Sequence, residues 1–259
     1  MFRWIKMGLK EILEHHIVDH VWARFTLGTH VFPVSKHLLM LGIASLILLV
    51  VFPLIIRSRS AALAPFRSVI EIIVLFIRDE VVVPNLGHKG AAYIGYFSTL
   101  FFLILILNLL GLVPYGASAT GNLAVTTGLA LTTFVLINFA GIKEQGLMGY
   151  FAHLVPKGVP VWLYPLLFPI ELIGLVTKAF ALCIRLFANM IAGHIVILAF
   201  ISFIFIFGAL NAAVGLGVAP LSVALVIFVS LLELFVAFLQ AYVFVFLTAI
   251  FTGMAMHPH

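Results

Sequence analysis

The chain has 259 residues, of which 64% are hydrophobic and only 9% are charged, and its formal net charge is +5. Soluble domains are about 45–50% apolar, so this composition excludes an ordinary soluble protein. The modest charge, with no basic block, predicts no nucleic-acid partner. The single cysteine, Cys183, excludes an internal disulfide and is interpreted as a small buried apolar residue.

The first residues are polar and amphipathic, and they predict an N-terminal tail, 1–37, ahead of a single membrane domain, 38–259. The tail lacks a cleavage site of small residues, so it does not look like a removable signal peptide.

The tail contains the motif "HHIVDH", in which His16 and His20 are one helical turn apart. This spacing loosely resembles a zinc-binding pattern, with Asp in place of Glu. An amphipathic surface helix with pH-sensitive histidines is the favoured interpretation, and no metal site or cofactor is predicted. The role of the cluster (His15, His16 and His20) stays open.

A helix needs about 20 apolar residues to cross a bilayer. On this measure the sequence predicts an all-α polytopic membrane protein with about five crossing helices. The predicted spans are about 38–56, 91–113, 121–142, 163–207 and 221–253.

Two segments depart from the simple pattern of one short helix per crossing. Residues 61–83 carry Arg67, Glu71 and Arg78 within about 40° of one another on a helix, which predicts an amphipathic helix in the membrane interface. Residues 163–207 are too long for one straight crossing. They predict either two spans with an unrecognised turn or one strongly tilted helix.

Loop charges give an orientation. The 57–90 and 143–162 loops carry lysines and arginines, whereas the 114–120 and 208–220 connections carry no charge. The positive-inside rule therefore predicts that both charged loops and the C-terminus are cytoplasmic and that the N-terminus is outside. The basic residues of the N-terminal tail argue against this orientation.

Ionisable residues lie inside the last two hydrophobic segments: Glu171, Lys178, Arg185, His194 and Glu233. A charge at the bilayer centre costs about 2.5–3.5 kcal/mol on insertion scales. Such groups therefore face protein or water, and they often mark ion pathways.

The spacing of these residues predicts polar faces on both helices. Glu171, Lys178 and Arg185 are seven residues apart, so they form one stripe, and Asn189 lies near it. His194 falls about 180° away from Arg185. On the last helix, one stripe within about 80° contains the polar residues Ser222, Ser230, Glu233 and Gln240.

Two interpretations remain for these charges. They can pair with one another and specify helix packing. Alternatively they can move protons, because histidine and glutamate titrate near neutral pH when their surroundings shift them. Arginine keeps its proton, so Arg185 suits an electrostatic barrier better than a relay.

The motifs "LCIRLFANMIAGH", "ELFVAFLQAYVFVFLT" and "LILNLLGLVPY" closely resemble subunit a of the rotary ATP synthase, from about residue 90 onward. The resemblance implies two long, steeply tilted helices packed as a hairpin against the ring of c subunits. It also implies peripheral-stalk b subunits, other synthase subunits, membrane lipid and protons as partners. No nucleotide is expected on this chain, because it lacks a glycine-rich phosphate loop.

The resemblance assigns roles residue by residue. Arg185 matches the essential arginine that faces the ring carboxylate, with Asn189 one turn beyond and Gln240 beside it. His194 and Glu233 match the polar pair of the half-channel open to the outside; in some bacterial members these positions hold Glu and His instead.

Further positions complete the expected proton path. Asn108 is expected to line the outer half-channel, and Glu171 matches an acid of the cytoplasmic half-channel. Lys178 and Ser230 join the path because they lie on the polar stripes.

The implied function is a proton-channel stator with two offset half-channels separated by Arg185. It would be a non-catalytic component of the synthase, in a bacterial inner membrane. Two alternatives remain: a sodium-coupled version of the same subunit, and a self-contained proton-coupled transporter, which internal repeats would favour but the sequence lacks.

Overall fold

The computed structural model describes residues 21–27, 30–58, 60–113, 118–153 and 160–256. It begins with an antiparallel hairpin of β1 (Val21–Leu27) and β2 (His30–Ser35). The described part of the predicted amphipathic tail is thus extended up to Ser35, and the histidine cluster His15, His16 and His20 lies outside the described residues.

The first long helix contains a π-helical segment next to a proline. It runs through α1 (Lys36–Leu46), the π segment Ile47–Val51 and α2 (Phe52–Arg57). Its N-terminus is capped by Ser35, whose hydroxyl accepts a hydrogen bond of 3.2 Å from the backbone N–H of Leu38. Pro53 has no N–H to donate, so the regular α-helical pattern is interrupted in the preceding turn.

The segment predicted as one interfacial helix over about 61–83 is divided. It consists of a 3₁₀ turn Ala61–Leu63, α3 (Ala64–Phe76), a π segment Ile77–Val82 and α4 (Val83–Leu86). The division has the same physical cause as in the first helix, because Pro84 follows the π segment closely. Of the predicted charged stripe, Arg67 donates to the Ser58 carbonyl and Arg78 pairs with Asp79 at 2.7 Å.

Four further helices complete the fold: α5 (Ile94–Leu112), α6 (Leu123–His153), α7 (Tyr164–Leu210) and α8 (Ala212–Met256). With the first helix, five helices in the described part of the chain are long and apolar enough to cross a membrane. The prediction of a helical polytopic membrane protein is confirmed, and the N-terminal hairpin is an addition to it.

The long segment predicted over 163–207 forms one continuous helix, α7. The alternative of two spans with a turn between them is therefore wrong. At 1.5 Å per residue α7 is about 70 Å long. The connection expected over 208–220 is reduced to Asn211, which is extended. The Asn211 side chain accepts from the Ala213 N–H at 2.9 Å and so starts α8 directly.

Helix α5 is the centre of the core, and the α7–α8 hairpin lies at its side. In the most apolar 18-residue stretch of each helix, half of the residues are buried in α5, against 11% in α7 and 17% in α8. The hairpin therefore leaves most of its apolar surface uncovered by this chain.

One end of the bundle is fastened by contacts among several helices. Lys89, just before α5, pairs with Glu144 of α6. Gln145 donates to the Ala255 carbonyl of α8 at 2.6 Å. Gly253 lies against the backbone of Asn85 so closely that a Cβ would collide with the Asn85 carbonyl oxygen. The two charged loops and the end of α8 thus share one end of the molecule.

Candidate functional site: a polar cluster between α5, α7 and α8

An acid and an imidazole from different helices meet inside the bundle. Nδ1 of His194 on α7 lies 3.0 Å from Oε1 of Glu233 on α8. The Glu233 side chain is 6% exposed, and neither carboxylate oxygen has a hydrogen bond of good geometry to another described residue. The two side chains are therefore in polar contact without an aligned hydrogen bond, and the carboxylate can still bind water or a proton.

The His194 ring faces oxygen atoms on both sides. Nδ1 is also 3.0 Å from the carbonyl of Met190 in its own helix, and Nε2 is 3.2 Å from the carbonyl of Gly111 on α5. Gly111 is in the last turn of α5, where carbonyls lack partners within the helix. A doubly protonated ring can donate to both sides, whereas a neutral ring has a single N–H.

Asn108 joins three elements and is 1% exposed. Its Nδ2 donates to the Ala237 carbonyl of α8 at 3.1 Å, and its Oδ1 accepts from the Thr120 hydroxyl at 2.8 Å. A buried amide is costly unless bonded, so these partners fix the Asn108 side chain in place.

A cavity brings together several of the residues singled out in the sequence. It lies between α5, α7 and α8 and is partly open to the surroundings. Its lining consists of Asn108, Leu186, Asn189, Met190, Glu233, Val236, Ala237 and Gln240. Four of these, Asn108, Asn189, Glu233 and Gln240, belong to the predicted proton path.

Arg185 does not line this cavity. It is exposed on α7, one turn before Asn189, and no hydrogen bond or ion pair joins it to another described residue. The nearest exposed positions on the same face are small: Ala181, Ala188 and Ala192. The guanidinium therefore stands on a surface that another helix can approach closely.

The remaining predicted residues lie apart from the polar pair. Lys178 places its ammonium 5.4 Å from the centre of the Phe251 ring, near the end of α8. Glu171 is partly buried a further two turns towards the start of α7. Ser230 donates to the Val226 carbonyl in its own helix at 2.8 Å, so the structure shows no contact between Ser230 and the cavity.

Three residues of the site were missed by sequence reasoning. Thr120 is fully buried against Asn108. Gly193 makes room for the acid, because a Cβ there would lie 2.5 Å from Oε1 of Glu233. A Cβ on Gly111 would collide with Cε of Met190. Only the glycines carried a signal, as isolated glycines in helices, which indicates close packing without naming the partner.

No metal site is evident in the part of the chain that the structure describes, since no three His, Cys, Asp or Glu side chains there are grouped so that they could hold an ion. The "HHIVDH" motif lies outside those residues.

Comparison with known proteins identifies the family. Residues 38–253 match the family model for the ATP synthase A chain. Subunit a of the ATP synthase of Myxococcus xanthus is 45% identical over 233 residues, which are 87% of this chain and 75% of that protein. Subunit a of Chlorobium phaeobacteroides is 44% identical over 261 residues, covering 95% of this chain and 75% of the relative.

A third relative, subunit a of Anaeromyxobacter dehalogenans, is 46% identical over 230 residues, and this chain covers only 58% of its length. The region matched by the family model includes the helices that carry the polar cluster. The chain therefore belongs to the family of ATP synthase subunit a, the non-catalytic stator subunit in the membrane sector of the F-type synthase.

Proposed function

We propose that this chain forms two offset half-channels that load and unload protons on the carboxylates of a c-subunit ring, with Arg185 between them. The observation that carries the proposal is the order of polar groups along α7. Lys178 is level with Phe251 at the charged-loop end, and His194 is level with Gly111 at the uncharged end. Arg185 lies between them.

Helix geometry gives the scale of this separation. Arg185 is seven residues from Lys178 and nine from His194 in the sequence. At 1.5 Å per residue these separations are about 10 Å and about 13 Å along the helix. Each is longer than a hydrogen bond, so these residues are not hydrogen-bonded directly to one another, and in this proposal the proton passes Arg185 on the ring carboxylate.

The outer half-channel is proposed to lead past Asn108, Glu233 and His194. Glu233 is a buried carboxylate whose oxygens have no hydrogen bond of good geometry to another described residue. The cavity beside it is also lined by Asn189 and Gln240. A proton held by the acid–imidazole pair can thus pass through water in the cavity towards the Arg185 face.

Arg185 is proposed to face the ring carboxylate. An exposed guanidinium without an internal partner would be costly in lipid, and an acid from another subunit compensates for that cost. Once protonated, the ring carboxylate is neutral and can move into lipid at little desolvation cost. Arginine does not release its proton, so it also blocks direct leakage between the half-channels.

The inner half-channel is proposed to open near Glu171, towards the charged loops. By the positive-inside rule this end is cytoplasmic, which places the N-terminus outside and the C-terminus inside a bacterial inner membrane. Peripheral-stalk b subunits and other synthase subunits are the further proposed partners. Protons are favoured over Na⁺, since hard cations prefer oxygen ligands and the outer pair includes an imidazole.

The test is ATP-driven proton uptake by vesicles that contain the assembled synthase, comparing the native chain with Arg185→Ala. We expect uptake to be abolished while the amount of assembled complex is unchanged. Undiminished uptake would show that Arg185 is a packing residue and would overturn the proposal.

Arg78→Gln is the matched control. Arg78 is also exposed, but it is paired with Asp79 in the segment between the first two long helices. We expect this variant to pump normally. Repeating the assay with K⁺ in place of Na⁺ tests the ion. Equal proton uptake in both salts supports proton coupling, whereas proton uptake that Na⁺ suppresses would indicate a sodium-coupled subunit.

A further inference from the structure

A continuous chain of hydrogen bonds leads from the connection between α5 and α6 to helix α8. The N–H of Gly121 donates to the Ser118 hydroxyl at 3.1 Å, and that hydroxyl is 3.4 Å from the Thr120 hydroxyl. Thr120 donates to Oδ1 of Asn108 at 2.8 Å, and Asn108 in turn donates to Ala237 at 3.1 Å.

The donors and acceptors in this chain determine which way the Asn108 amide faces. The Ala237 carbonyl can only accept, so the amide nitrogen must be on its side. The Thr120 hydroxyl can then donate to Oδ1, while accepting from Ser118. In this arrangement the second N–H of the Asn108 amide has no acceptor among the described residues. Asn108 lines the cavity that is also lined by Glu233.

We propose that Thr120 is a positioning residue for the proton path: its hydroxyl holds Asn108 so that the spare amide N–H is offered to the cavity beside Glu233. This inference rests on the proposed function, because it assigns Thr120 its role through Asn108. It adds a residue of the α5–α6 connection to a path otherwise built from helices.

Burial makes the hydroxyl important. Thr120 is 0% exposed and Asn108 is 1% exposed, so bulk solvent does not reach either side chain. Without the hydroxyl, Oδ1 of Asn108 would be buried with no donor, which favours rotation of the amide away from its present orientation.

The experiment measures proton conduction through the membrane sector of the assembled synthase, in vesicles, with and without the catalytic sector. Thr120→Val keeps the shape of the side chain and removes the hydroxyl. We expect conduction to fall about tenfold. Thr120→Ser keeps the hydroxyl and is expected to restore most of the conduction. If Thr120→Val does not assemble, the smaller Thr120→Ala is compared with Thr120→Ser instead.

The matched control is Thr248→Val. Thr248 is equally buried, but its hydroxyl donates to the Phe244 carbonyl of its own helix at 2.7 Å and contacts none of the site residues. This variant is expected to conduct like the native chain. An equal loss in both threonine variants would mean that any buried hydroxyl matters, and the inference would fail.

A double substitution separates positioning from general destabilisation. In an Asn108→Leu chain, adding Thr120→Val is expected to cause no further loss, because Thr120 acts only through the amide. Losses that multiply would overturn the inference.

The outcomes also distinguish the inference from the proposed function. If Asn108→Leu conducts normally, the proposed path fails at Asn108 and the role of Thr120 falls with it. If Asn108→Leu is impaired while Thr120→Val is normal, only the inference is wrong.

Discussion

His194 on α7 and Glu233 on α8 are in direct contact, with 3.0 Å between Nδ1 and Oε1, although the two residues are far apart in the sequence. The pair joins the two helices that form the outer hairpin, and the Gly111 carbonyl ties it to the central helix α5. This acid–imidazole pair thus lies at the junction of three helices, where small changes in packing alter its geometry.

Exchanging the pair is the first prediction. His194→Glu alone places two carboxylates together, and like charges disfavour ionisation of both. Glu233→His alone places two imidazoles together. We expect each single variant to lose at least about tenfold in ATP-driven proton uptake. The double exchange restores one acid and one imidazole and should pump better than either single variant.

One result of the exchange would contradict this prediction. If the double variant is no better than the single ones at equal levels of assembled complex, the chemistry depends on which helix carries the acid. The contact would then not act as an interchangeable pair.

Gly193→Ala is the second prediction. The new Cβ would lie 2.5 Å from Oε1 and 2.8 Å from Cδ of Glu233, so the acid must move. Overpacking of this kind costs about 1–3 kcal/mol. We expect proton uptake to fall about tenfold, and Glu233→Asp, with its shorter side chain, to recover part of it in the double variant.

Gly128→Ala is the control for this steric argument, because a Cβ at Gly128 meets nothing within 4 Å. It is expected to leave uptake unchanged. Equal uptake in Gly193→Ala and the native chain would mean that Glu233 has room to move without loss of function.

The periodicity of α7 accounts for what the sequence could predict of the site. Because Arg185 and His194 are half a turn out of phase, the sequence placed them on opposite faces; in the structure one is exposed and the other contacts Gly111. The lengths of the apolar runs likewise predicted five candidate membrane helices. Both predictions were possible because helical repeat and hydropathy are local properties of the sequence.

Contacts between distant segments could not be predicted in this way. Thr120 lies in a short polar connection without periodicity, and nothing local indicates that it reaches Asn108. The sequence left the continuity of α7 open, because the isolated glycines Gly174 and Gly193 are only weak evidence for a break. The π segments lie in the turns that precede Pro53 and Pro84, and hydropathy carries no signal for them.

Gly253→Ala is the third prediction, and it concerns stability. A Cβ at Gly253 would collide with the backbone carbonyl of Asn85, which cannot move as a flexible side chain can. We expect α4 and the end of α8 to separate, at a cost of about 1–3 kcal/mol. The measurements are the amount of assembled complex and its thermal unfolding midpoint. Gly95→Ala, where a Cβ meets nothing within 4 Å, should match the native chain.

The reactivity of Cys183 is the last prediction. Cys183 is 4% exposed, and its Sγ lies 3.4 Å from the hydroxyls of Thr126 and Thr127 on α6. Alkylating reagents need access to the sulfur, and a buried site does not provide it. We expect no labelling by a maleimide in the native complex and complete labelling after denaturation. A cysteine at Met148, which is 89% exposed, should be labelled at once in a Cys183→Ser chain. Rapid native labelling of Cys183 would mean that α6 and α7 separate readily, and that the face of α7 opposite Arg185 is open to solvent.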